Sequence, residues 1–169
     1  IIRNGSSPTN SLRYLNYDYG MSLQIPAGWN IFEQYAALKD PKSKPMGDPF
    51  VAGLVPSNSQ PNSMFTLRID VTDWPNTVSS EQTYSIFLND RDLLRNGSQI
   101  LQSTSIVKDN NLIYRYVVKY DTGEKEYVEG LASILANSRL YNLHFKATSD
   151  EFDLHKNNIE EIVNSITFF

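Results

Sequence analysis

A chain of 169 residues and 19.3 kDa, 40% hydrophobic and 20% charged, has the size and composition of one packed domain. Such a domain buries about 70% of its extended-chain surface and needs no metal or disulfide staple. The formal charge of -4, with no extended Lys/Arg cluster, removes the electrostatic basis for binding nucleic acid or a polybasic membrane contact. The absence of cysteine excludes thiol catalysis and thiolate metal sites, and no apolar run approaches the ~18 residues of a membrane span.

The Ser/Asn/Pro/Gly-rich opening, which lacks a Met, reads as a flexible linker over residues 1–16 ahead of a single domain over 17–169. What precedes it is open between a signal peptide, an anchor helix and a mere cloning boundary. Asn4-Gly5-Ser6 and Asn96-Gly97-Ser98 are sequons, which makes Asn4 and Asn96 candidate glycosylation sites of an exported protein. Residues 20–26 read as a strand, because Met21, Leu23 and Ile25 share one face under a period of two. The run from Trp29 onward is apolar but undecided between strand and short helix. Residues 39–49, with three prolines and a glycine, read as a loop, followed by a short strand over 50–55. Residues 64–71 alternate cleanly, with Phe65, Leu67, Ile69 and Val71 inward and Arg68 and Asp70 outward.

Ser79 and Gln82 form a capping-box pattern ahead of a helical stripe ending near Leu94. Strands are expected over 98–108, 112–120 and 125–136, joined by turns at Asp109-Asn110-Asn111 and Asp121-Thr122-Gly123-Glu124. Pairing of Tyr120 with Lys125 would set Lys119 opposite Glu126 and Val117 opposite Val128. A strand over 139–147 leads into a helix that opens on a second capping box, Thr148 with Glu151, and carries the stripe Phe152, His155, Ile159, Ile162 and Val163. Connections this short require antiparallel pairing, so the expected class is α+β, an α-β-α sandwich with a central antiparallel sheet.

Two segments carry a family resemblance. "YGMSLQIPAGWN", with Pro26 and Trp29, and "RLYNLHFKATSDEFDLHKNNIEEIVNSITF", with Leu140, Tyr141, Glu151, Phe152, Ser165 and Ile166, resemble the first strand and the closing strand and helix of the PsbP family. The resemblance implies that family's α-β-α sandwich. It is also the sole ground for a calcium or manganese ion, since photosynthetic members help retain calcium and chloride through an N-terminal segment. Residues 1–16 show no counterpart of that segment, so oxygen evolution is not carried over.

Trp29, after a strand and turn, is expected to pack inside, where burial contributes roughly 2–3 kcal/mol. Tyr17 and Tyr19 precede the strand and are candidates to rim a partner-binding surface, together with Trp74 at the "DWP" corner. Asp70 and Asp73 are the candidate metal ligands. A hydrolytic triad would need His144 or His155 with an unmarked serine, as there is no Gly-x-Ser-x-Gly elbow, and a Glu151/His155 metal pair is incomplete. Asp90 and Asp92 fail the calcium-loop pattern, and no phosphate loop is present. The expected function is a non-enzymatic, extracytoplasmic binding or accessory module for a membrane-associated protein complex or surface layer, without a cofactor and monomeric. The alternatives are a carrier of a small apolar ligand or a divalent-metal accessory protein.

Overall fold

The structure, a computed structural model, describes residues 2–4, 11–33, 49–59, 63, 65–74 and 97–169. Among them lie β1 (Ile2–Asn4), β2 (Leu12–Asn16), β3 (Met21–Ile25), β4 (Trp29–Phe32), β5 (Phe50–Pro56) and β6 (Leu67–Asp73). These are followed by β7 (Gln99–Lys108), β8 (Asn111–Asp121), β9 (Glu126–Ala136), β10 (Arg139–Thr148), helix α1 (Ser149–Ser165) and β11 (Thr167–Phe168). The helix expected over 79–94, the candidate Asn96 and the loop residues 39–48 lie outside the described residues.

The strands form two antiparallel sheets. The larger has seven strands in the order β4-β5-β6-β10-β9-β8-β7, and the smaller has four in the order β1-β2-β3-β11. Residues 12–16, expected within the linker, instead pair with β3 from Leu12↔Ile25 to Asn16↔Met21. Tyr14 is the reason, since alternation turns its ring into the core. Asn4 stands at the end of β1, opposite Leu12.

The long meander is set by its turns. Asp109 and Asn110 (φ 50° and 62°) and Asn137 and Ser138 (φ 50° and 58°) place positive φ at both central positions. That twist matches the flanking strands of a tight hairpin. The β8–β9 register differs from expectation, for Tyr120 pairs with Tyr127 rather than Lys125. Thr122 N–H donates to the Lys125 carbonyl at 3.1 Å, which closes the turn over 122–125 and lets the ladder run to Asp121↔Glu126. Lys119 still reaches Glu126 at 2.7 Å, now diagonally.

One face of the large sheet carries Leu67, Ile69, Val71, Ile134, Tyr141, Leu143 and Phe145, all buried, and receives α1 through Ile159, Ile162 and Val163. Trp29 is buried in this same core, as its position after the strand and turn predicts. Gly130, directly opposite Phe145, leaves room for that ring to lie across β9; a Cβ there would stand 2.2 Å from the ring. Gly53 gives Phe32 the same room on the far face.

The start of α1 follows from its sequence. Thr148 accepts from Glu151 N–H while the Glu151 carboxylate accepts from Thr148 N–H, so both orphan donors are satisfied. At the other end Lys108 donates to the Asn164 carbonyl, a cation at the helix C-terminus. Arg115, almost wholly buried on the helix side of β8, grips Glu160 of α1 through both guanidinium nitrogens at 2.6 and 3.1 Å.

Candidate functional site

One corner of the molecule gathers groups from four separate segments around Arg139, the first residue of β10. Its guanidinium donates to the Asp18 carbonyl at 3.0 Å, lies 5.5 Å over the Tyr19 ring and stands 3.6 Å from the Asp73 carboxylate. The turn that carries Tyr17 and Tyr19 is fixed from both sides. Tyr141 Oη–H donates to the Tyr19 carbonyl at 2.7 Å, and Phe169 N–H donates to the Gly20 carbonyl at 2.9 Å. The Tyr17 and Phe169 rings meet edge to face at 5.7 Å, yet remain 59% and 58% exposed. Trp74 joins through its backbone, donating to the Ser138 carbonyl at 2.9 Å. Its ring is half-buried and its Nε1–H is shut from solvent without an acceptor among the described residues. Tyr17, Tyr19 and Asp73, chosen from sequence, thus meet at one place. The hub, Arg139, escaped sequence reading because an arginine opening a strand has no distinguishing local signal.

A cleft of about 780 Å³ opens at the N-terminal end of α1. Ser63 and Phe65 form one wall, Lys125, Tyr127 and Lys146 another, and Asp150, Glu151 and Leu154 the helical one. Lys146 Nζ sits 4.7 Å over Tyr127 and 5.7 Å over Tyr120, with Glu129 at 3.7 Å. Behind the cleft the His155 imidazole stacks on Phe65 (5.5 Å, 13°) and meets the edge of Trp29 at 5.5 Å. Burial holds its pKa below 6.5, with partial opposition from Glu151. Burial alone would raise the Glu151 pKa; donation from Ser63 and Thr148 outweighs it and leaves the carboxyl below its usual value.

No known protein family matches the sequence, and no curated protein does. Solved structures do. LpqN of Mycobacterium tuberculosis, described as involved in cell envelope biogenesis, superposes with a TM-score of 0.63 at 13% identity, over 99% of this chain and 88% of its own. Cyanobacterial PsbP (CyanoP) of Synechocystis sp. PCC 6803 gives 0.62 at 12% identity, over 98% and 96%. This is the PsbP-like fold. The Saccharomyces cerevisiae Ran-binding protein Mog1p is similar as well, with a TM-score of 0.57 at 10% identity, over 95% of this chain and 96% of its own.

On this PsbP-like fold the two candidate metal ligands are drawn apart. Asp70 faces Asn142 across the ladder and accepts from Arg68 Nε at 2.7 Å, while Asp73 projects at the strand end beside Arg139. Among the described residues no three His, Asp or Glu side chains gather as a metal site. The two histidines are also separated, because His144 alternates onto the far face of β10 and His155 belongs to the helix on the opposite side. No described helix of this PsbP-like fold is long and apolar enough to cross a membrane.

Proposed function

We propose that this PsbP-like protein is a non-enzymatic, extracytoplasmic binding or accessory module that engages a protein partner through the Arg139 corner. The observation that carries this reading is the convergence of Tyr17, Tyr19, Phe169 and Arg139, from three stretches of chain, on one exposed patch. Tyrosine, tryptophan and arginine dominate the energetics of protein interfaces, since each offers a large contact area with a polar or charged handle. A pre-fixed turn also reduces the ordering cost of binding. The envelope role in LpqN's description supports a position outside the cytoplasm, tethered to a membrane or surface layer. Burial of Phe50, Val118, Tyr120 and Leu140 on the far face supports a second layer there, completing an α-β-α sandwich.

The test is affinity capture from solubilised membranes and surface extracts of the source organism. The wild-type protein retains a stoichiometric protein that Tyr17→Ala/Arg139→Ala releases. Capture of nothing, or capture indifferent to these substitutions, overturns the reading.

The cleft favours a second reading, a small-ligand carrier. Its volume falls within the range of ligand pockets, and its Phe65, Tyr127 and Leu154 surfaces suit an apolar body. A panel of fluorescent apolar probes that fails to bind wild type more tightly than Leu154→Glu disposes of it.

A further inference from the structure

β7 is a ten-residue edge strand whose one strand neighbour among the described residues is β8. Its apolar residues face solvent to an unusual degree, with Ile100 53%, Ile106 48% and Val107 73% exposed. An open row of backbone donors and acceptors beside exposed apolar side chains is a template for another strand. Native edges are ordinarily protected by charge or proline. Here there is no proline or acidic residue over 99–108, and Lys108, at the end, already donates to the Asn164 carbonyl.

We propose that β7 pairs with β7 of a second copy of this chain, joining two seven-stranded sheets about a twofold axis at Thr104. The pattern of the strand selects the second copy as occupant. Antiparallel strands related by such an axis keep each face of the sheet on its own side, so paired residues share a face. About Thr104, Ser103 falls opposite the partner's Ser105, and Gln102 opposite the partner's Ile106. The bulge between Ile100 and Gln102 sets Leu101 outside the ladder. Beyond it Ile100 comes opposite the partner's Val107, and both lie on the far face, as their pairing with Val118 and Leu112 shows. Gln99 then comes opposite the partner's Lys108. The Ile100–Val107 pair forms twice, Thr104 meets its own copy, and the two Lys108 charges stand at opposite ends. The strand therefore meets its own copy with Ile100 and Val107 matched on one face and no like charges opposed.

Sedimentation analysis over a range of protein concentrations, with a crosslinking arm, tests this inference. Wild type sediments as a dimer, and Val107→Lys, at a solvent-facing position, raises the dissociation constant about tenfold or more while circular dichroism stays native. The chain has no cysteine, so Thr104→Cys reports directly. Under mild oxidation it forms a covalent dimer, whereas Gln99→Cys, with the two thiols roughly 30 Å apart at about 3.3 Å per residue, does not. Wild type that stays monomeric at every concentration, a dimer indifferent to Val107→Lys, or equal crosslinking by the two cysteines overturns the proposal.

Discussion

The Phe145 ring lies across Gly130, its direct opposite on β9, and on its other side stacks on Phe152 of α1 at 5.7 Å and 7°. A methyl group at residue 130 would stand 2.2 Å from the ring, between two packed layers. Gly130→Ala should gain about 0.4–1 kcal/mol from a stiffer unfolded chain and lose about 1–3 kcal/mol to overpacking. The loss prevails. Urea unfolding checks it, and in a double-mutant cycle Phe145→Leu should relieve part of the Gly130→Ala penalty.

His155 supplies a pH dependence whose sign is fixed by its environment. Its folded pKa lies below the 6.5 of the free side chain because burial between Phe65 and Trp29 disfavours the imidazolium. The unfolded chain therefore takes up the proton first, so the stabilisation is fully present above about pH 6.5 and is lost as pH falls toward the folded value. Glu151, with its lowered pKa, adds a loss in the same direction at more acidic pH. Stability measured by denaturant titration from neutral pH downward should decline in wild type, and His155→Gln should flatten the portion just below pH 6.5. An unchanged slope in the variant would remove His155 as the cause.

The Arg115–Glu160 pair should respond unequally to loss of its two members. Arg115 is buried, whereas the Glu160 side chain is half in solvent. Glu160→Ala leaves a buried guanidinium without its acceptor and, discounted for solvent screening, costs about 1–2 kcal/mol. Arg115→Met fills the same space without a charge and should be closer to neutral. Equal thermal shifts for the two variants would contradict this account.

The second capping box is legible in the sequence, and its energetic weight is equally direct. Thr148→Ala should destabilise by about 1 kcal/mol, as it withdraws the acceptor for Glu151 N–H and one donor to the Glu151 carboxylate, which keeps its bonds from the residue 148 N–H and from Ser63. Hydrogen exchange faster in the first turn of α1 than in its last turn is the expected local signature.

What the sequence conveyed was local. Period-two alternation placed the cores of β3, β6 and β10, the turns at 109–111 and 121–124 bounded β8 and β9, and the Thr148/Glu151 spacing placed the helix start to within a residue. The register of β8 against β9 was missed because it depends on how Thr122 closes on Lys125, and alternation alone is satisfied equally well by a shift of two residues. β2 was missed because its stabilisation comes from β3 and from Tyr14 entering a core built by distant segments. The site divides in the same way. Tyr17 and Tyr19 stood out as aromatics ahead of a strand, but their union with Arg139, Asp73 and Phe169 exists only once β10, β6 and the final residues have come together.

The pairing of β11 with β3 has a consequence for how the protein is made. Ser22 bonds Thr167 across 145 residues of sequence, and Phe168 completes the ladder opposite Met21. On the ribosome β3 must wait for residues 167 and 168 to emerge before it meets this partner, so the smaller sheet closes only after synthesis has passed residue 168. A fusion joined directly after Phe169 would leave from beside Tyr17, so affinity tags for interaction studies belong elsewhere on the molecule.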